Sequence, residues 1–295
     1  MRIGFSVSSI CSVVSGVPQS SVLGPILFII YVNDITHLWS SDTISIKLFA
    51  DDIKLYTVLH NDSAFSTDLQ SCLDAILQWS ALWQLKLAPS NCTVMRIKPR
   101  ANHSFSCAPC YHIGSVRLPV TSNCTGLGVS HDANLLFTSH ISKIVAKASG
   151  RAKLILKCFS SRDPLLFIRA FCTFVRPLLE FSSIIWSPYT VSDINHVESV
   201  QRSFTKAVNY LRFSTYKERL VNLGLDSLQC RRIKADLLFC YKLLYGLVDI
   251  KSDDFVVRSP NINLRGNQYK LAKFLITSAR DANFFAGESL TYGTV

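Results

Sequence analysis

The sequence predicts an α+β fold in which a β-containing first part gives way to a mainly α-helical second part. Three observations predict it. Short runs rich in β-branched and aromatic residues flank two adjacent aspartates, Asp51 and Asp52. From Ser139 onward, apolar residues recur at helical spacing almost without interruption. The charge balance changes at the same place: up to Asp132 there are 8 Lys+Arg and 8 Asp+Glu, whereas from Ala133 onward 23 meet 12. The parts are placed at residues 1–134 and 135–250, with a C-terminal tail at 251–295.

In the first part, residues 44–49 and 53–58 read as two strands of a hairpin with Asp51 and Asp52 at its tip. Residues 68–85 carry Leu69, Cys72, Leu73, Ile76, Leu77 and Trp83 at helical spacing, after Ser66 and Thr67 as candidate caps. Extended runs recur at 92–97, 113–120 and 125–129. In the second part, Ile141, Ile144, Val145, Ala148, Ala152, Ile155 and Phe159 form one helical stripe. Ile194, Val197, Gln201, Phe204, Val208 and Leu211 form another. Pro164 after Asp163 marks a helix start, and Pro177 should break or kink that helix near Arg176.

Composition narrows the class. The chain has 295 residues, 48% hydrophobic and 17% charged, which excludes intrinsic disorder. Residues 1–14 are Ser-rich with one basic residue and no long apolar centre, so no signal peptide is expected. The most apolar candidate for a membrane span, residues 165–186, is interrupted by Arg169, Arg176, Pro177 and Glu180. The expectation is a soluble protein of the cytoplasm or nucleus, not secreted and with no membrane partner, whose ten cysteines are reduced, mostly core thiols. His103, Cys107, Cys110 and His112 are too crowded, and lack a second Cys pair, for a zinc finger. Trp79 and Trp83 read as core residues.

Two patterns carry chemistry. Paired carboxylates at a hairpin tip are solvated, paired or bound to a hard divalent cation, because burying them alone is costly. Two such cations can clamp an in-line phosphoryl transfer. Separately, Lys143, Lys147, Arg151, Lys153 and Lys157 fall within one broad helical face opposite the first apolar stripe, and no acidic residue occurs between Ser139 and Ser161. An uncompensated basic face suits a phosphate backbone; the bland alternative is a solvated lysine surface.

The run Ser15-Gly16-Val17-Pro18-Gln19-Ser20-Ser21-Val22-Leu23-Gly24-Pro25, followed by an apolar stretch and Asn33-Asp34, resembles the nucleotide-pocket motif and following helix of reverse transcriptases. Phe49-Ala50-Asp51-Asp52 resembles their aromatic-Ala-Asp-Asp catalytic turn, and the spacing between the two fits the non-LTR (LINE-type) retrotransposon branch. Leu127-Gly128-Val129 resembles the primer-grip turn. His140-Ile141, the run from Val175 to Glu180, Trp186-Ser187-Pro188 and Val200-Gln201-Arg202 with Phe204-Thr205 are similar to the helical region that follows. The resemblance covers about residues 5–246, with a weaker echo at 265–285.

That resemblance implies a partial right-handed polymerase palm, built of a β-hairpin and helices, followed by a mainly α-helical thumb and connection. It implies an RNA template, a DNA primer, deoxynucleotides and Mg²⁺. Asp51 and Asp52 would be catalytic, metal-site carboxylates, with Asp51 favoured as the direct ligand. Gly16, Pro18, Gln19 and Ser20 would line the nucleotide pocket, and Leu127, Gly128 and Val129 would steady the primer end. Lys143, Lys147, Arg151, Lys153 and Lys157 would contact nucleic acid. Three departures qualify this. The family's third metal carboxylate lies upstream of the Gly-Val-Pro-Gln motif, yet no Asp or Glu precedes Asp34 here, so an N-terminally truncated fragment, binding metal weakly and inactive alone, is expected. Ser20 stands where the family usually has Gly. Asn91 stands before Cys92 where a proton-donating Lys is often found, and an amide cannot supply that proton. The competing expectation is a non-catalytic nucleic-acid-binding protein or a decayed transposon product.

Overall fold

The structure, a computed structural model, describes residues 2–3, 5–7, 9, 16–17, 20–39, 43–59, 65–97, 110–159, 163–208 and 211–250. The expected tail at 251–295, the echo at 265–285, Pro18, Gln19, His103 and Cys107 lie outside them. The protein is mixed α and β, with helices and small antiparallel sheets. It divides into two compact units, one made of Met1–Arg96 with Arg100–Thr121 and the other of Ile97–Pro99 with Ser122–Val295.

The first unit opens with a short pair, β1 (Arg2–Ile3) and β2 (Ser6–Val7), then helix α1 (Leu23–Val32). Although α1 is apolar nearly all round, only Gly24 and Val32 are buried in it. A 3₁₀ turn at Asn33–His37 leads to the hairpin of β3 (Ile44–Phe49) and β4 (Asp52–Thr57). The second strand thus begins one residue earlier than expected, at Asp52. Helix α2 (Thr67–Leu82) is capped by Ser66, whose side chain accepts the Leu69 N–H at 3.2 Å. Its Cys72, Ile76 and Trp79 pack with Val32, Ile35 and Ile44 and with the inward residues of the hairpin, Ile46, Leu48, Ile53 and Leu55. Trp79 is a core residue, as expected, and Trp83 packs beside it.

Not every expected strand forms. Of 92–97, only Val94 bridges Val120. Residues 113–120 fold back on themselves as β5 (His112–Ile113) and β6 (Val116–Arg117), because Gly114 takes a left-handed φ of 59° between them. Gln70 on α2 fastens this hairpin, donating to His112 O and accepting the His112 N–H, both at 3.0 Å.

The second unit begins with another hairpin, β7 (Asn123–Gly126) and β8 (Val129–Asp132). Residues 125–129 therefore straddle a turn instead of forming one strand. Helix α3 (Thr138–Cys158) buries Ile141, Val145, Ala148, Ala152 and Ile155 of the expected stripe, with His140 beside them, while Ile144 is half-buried and Phe159 lies beyond its end. Asp163 caps α4 (Pro164–Ala170), accepting the Leu165 N–H at 3.2 Å. The effect of Pro177 is seen one turn earlier: Phe171–Val175 widen into a π turn before α5 (Arg176–Glu180) resumes. Proline has no N–H for the helical ladder and its ring crowds the carbonyl four residues back, and the wider turn relieves both.

Short α6 (Ser183–Trp186) precedes α7 (Val191–Lys206), α8 (Tyr216–Leu223) and α9 (Leu228–Leu244). Val197, Val200 and Phe204 of α7 close the core with Phe171, Val175, Leu179 and Trp186. Gln201, the polar member of the second stripe, is fully buried and donates to Asp226 O at 2.9 Å and to the Tyr216 hydroxyl at 3.1 Å. Glu198 is 5% exposed; it accepts the Tyr216 hydroxyl and the Leu228 and Gln229 N–H groups that open α9. The eight described cysteines are unpaired thiols, but only Cys72 and Cys240 are buried and Cys158 is exposed, so core packing accounts for few of them.

Candidate functional site

Register fixes the acidic turn. Phe49 pairs with Asp52, Leu48 with Ile53 and Lys47 with Lys54, leaving Ala50 and Asp51 as a two-residue connection. Ala50 has φ 52°, the left-handed value that such tight hairpin turns require at their first position. Strand alternation turns Ile46, Leu48, Ile53 and Leu55 toward α2, and leaves Lys47, Phe49, Asp52, Lys54 and Tyr56 exposed on the other face. A one-residue slip would bury that charged set, so the apolar face holds the carboxylates at the surface. Asp51 and Asp52 are both exposed. Asp52 shares its face with two lysines that stand opposite each other.

Adjacent carboxylate oxygens suit a hard divalent cation, and Asp51 and Asp52 fit as part of such a ligand set. Among the described residues, no group of three His, Cys, Asp or Glu side chains is placed to hold a metal ion. Of the residues expected along the nucleotide pocket, Gly16 and Ser20 are exposed, with φ of 94° and 62°. Ser20 thus keeps a backbone conformation that glycine adopts without cost. Asn91 is exposed in a 3₁₀ turn, Pro89–Asn91, just before Cys92.

In the second unit, Leu127 and Gly128 both have positive φ, 52° and 83°, and form the two-residue turn between β7 and β8. Val129 is buried, Leu127 is 44% exposed, and a Cβ on Gly128 would lie 3.1 Å from Phe181 Cε1. The turn is therefore packed tightly onto an aromatic ring from the segment after α5. Lys143 Nζ donates to Ser130 Oγ at 3.3 Å, which links the basic helix to this hairpin. Lys143, Lys147, Arg151, Lys153 and Lys157 are all exposed. Arg151 also donates to Phe174 O at 3.3 Å, and none of the five takes part in an ion pair among the described residues.

Sequence reasoning gave no role to His140. Its ring is 3% exposed, its Nδ1 accepts the Ser130 N–H at 3.2 Å, and it meets Trp186 edge-on at 5.3 Å. Burial pushes its pKa below the usual 6.5, and His131 and Lys143 push the same way. A polar residue on the apolar stripe of α3 was the available signal.

Residues 4–131 match the reverse transcriptase (RNA-dependent DNA polymerase) family. Over that segment the chain is similar to reverse transcriptases. The curated relatives it resembles are named as RNA-directed DNA polymerases of mobile elements. The RNA-directed DNA polymerase from mobile element jockey of Drosophila melanogaster is 31% identical over 142 residues, 46% of this chain and 15% of that protein. The probable RNA-directed DNA polymerase from transposon BS of the same organism is 26% identical over 214 residues, 68% of this chain and 23% of that protein. The corresponding protein from transposon X-element is 23% identical over 217 residues, 70% of this chain and 23% of that protein. The chain thus spans less than a quarter of the length of each of these curated relatives. No solved structure matches the chain. Among the described residues, no helix is long and apolar enough to cross a membrane.

Proposed function

We propose that this chain contributes the catalytic turn and the primer-binding helical region of an RNA-directed DNA polymerase of a non-LTR retrotransposon. The observation that carries the reading is the Asp51-Asp52 pair, held outward at a register-locked hairpin tip inside the matched segment. Residues 1–134 act as part of a palm, 135–250 as thumb and connection, and 251–295 as a tail of the same element. The substrates are an RNA template, a DNA primer and deoxynucleotides.

Asp51 and Asp52 would hold magnesium, with a third carboxylate completing the set in the active assembly. When bound, such an ion would supply neutralisation of the charge on the transferred phosphoryl group. The chain's own part is positional. Gly16, Pro18, Gln19 and Ser20 line the nucleotide, the Leu127–Val129 turn steadies the primer end, and the α3 lysines and arginine track the duplex backbone. Primer extension by an assembly containing this chain, with and without Asp51→Ala, tests it.

A second reading, nucleic-acid binding without catalysis, is favoured by one feature: among the described residues, the five exposed cations of α3 form no ion pair. Hybrid binding that is independent of Asp51, with no extension in any assembly, would select it.

A further inference from the structure

Strands β7 and β8 form a hairpin, and a two-stranded hairpin alone is marginal in water, so the Leu127–Gly128 turn needs struts to stay in place. Two converge on it. On one side, Phe181 lies against Gly128, and the Trp186 indole N–H fixes the Phe181 carbonyl at 2.8 Å. On the other, His140 Nδ1 accepts the Ser130 N–H one residue past the turn's buried Val129. The His140 ring rests edge-on against Trp186, so the two struts share one aromatic support.

We infer that His140 is a positioning residue: its neutral imidazole holds the Leu127–Gly128 turn on α3, and protonation of that ring releases the turn and weakens its grip on a primer strand. The grip itself rests on the primer-binding reading above; the strut does not. An Nδ1 that accepts a hydrogen bond carries no proton, so the neutral ring must carry its proton on Nε2. Adding a second proton turns Nδ1 into a donor aimed at a donor. The bond is lost, and the new charge sits in a nearly closed site.

The surrounding charges do not rescue the cation. His131 on β8 and Lys143 on α3 both oppose it. Asp132, also on β8, is occupied by the backbone N–H groups of Asn134, Leu136 and Phe137. Asp193 on α7 accepts the hydroxyls of Thr138 and Thr190. Arg176 and Glu180 on α5 pair with each other, and Glu180 also takes Arg231. With the folded pKa depressed, the strut's contribution is complete above pH 6.5 and is lost as pH falls through the folded value.

The test follows the Ser130 amide by hydrogen exchange in the full chain at pH 7.5 and at the lowest pH at which the chain stays folded, expressed as a protection factor, with affinity for a recessed-primer RNA–DNA hybrid measured alongside. Wild type should lose roughly five- to tenfold of its Ser130 protection in acid, the loss expected for one neutral hydrogen bond. His140→Asn places an amide oxygen near the Nδ1 position and should stay protected at both pH values. His140→Leu should be unprotected at both. Ser130 protection that ignores pH in wild type, or survives His140→Leu, overturns the inference. If protection behaves as expected while hybrid affinity never changes, the strut stands and the primer-grip reading of the turn falls.

Discussion

Phe49 and Asp52 are cross-strand partners at the last rung of the β3–β4 ladder, so Asp52 is a strand residue while its neighbour Asp51 belongs to the turn. The two carboxylates therefore have different backbone support. Asp52 is fixed by strand register; Asp51 depends on Ala50 staying in its left-handed conformation.

Two exposed carboxylates with no third metal-ligating side chain grouped with them among the described residues should bind a divalent cation weakly. Titration with Mn²⁺, read as paramagnetic broadening of signals around residues 49–53, should give weak, unsaturated binding. Asp51→Asn should reduce it further. Tight binding that survives this substitution would show that the ligands lie elsewhere.

The basic face of α3 predicts a salt dependence. Each phosphate contact steepens the log–log plot of affinity against salt by about 0.7–0.9. Lys143→Ala, Lys147→Ala and Arg151→Ala together should flatten the slope for an RNA–DNA hybrid by about two units. Equilibrium binding between low and moderate salt measures it. An unchanged slope would make this face merely solvated.

Tyr216 and Glu198 set an alkaline limit on the helical unit. Burial, then donation to Glu198, raises the Tyr216 pKa well above 10. The unfolded side chain ionises near 10, so this bond's contribution is complete below pH 10 and is lost as pH rises toward the folded value. Tyr216→Phe should cost about 1.5–3 kcal/mol at pH 8, as for a hydrogen bond to a charged group. The gap should narrow above pH 10, measured by urea unfolding of both forms. A gap independent of pH would mean that the bond contributes little.

Much of this was legible in the sequence because local chemistry and tertiary packing agree. The α3 stripe, the Asp163-Pro164 helix start and the alternation around Asp51 each follow from spacing alone. What escaped depends on partners distant in the chain. Spacing places Gln201 in an apolar stripe, but the Asp226 carbonyl and Tyr216 hydroxyl that take its hydrogen bonds there lie 25 and 15 residues on. The strand expected at 92–97 found only one bridge, at Val94, and a pairing partner cannot be read from propensity. At the site, the turn was legible as a motif. The glycine-like backbone at Ser20 was not, because a serine codon gives no sign of φ 62°.

The most direct measurement of the central claim is primer extension by a fusion that joins an upstream reverse-transcriptase segment bearing the third metal carboxylate to this chain. RNA template, DNA primer, four deoxynucleotides and Mg²⁺ complete the assay. The 295-residue polypeptide alone is expected to extend no primer above background, because two-metal transfer needs more ligands than Asp51 and Asp52, and among the described residues no third is grouped with them. The fusion should extend it, and Asp51→Ala should abolish that activity without lowering hybrid affinity. Undiminished extension by the Asp51→Ala fusion would contradict the account, for the catalytic carboxylates would then lie outside this turn.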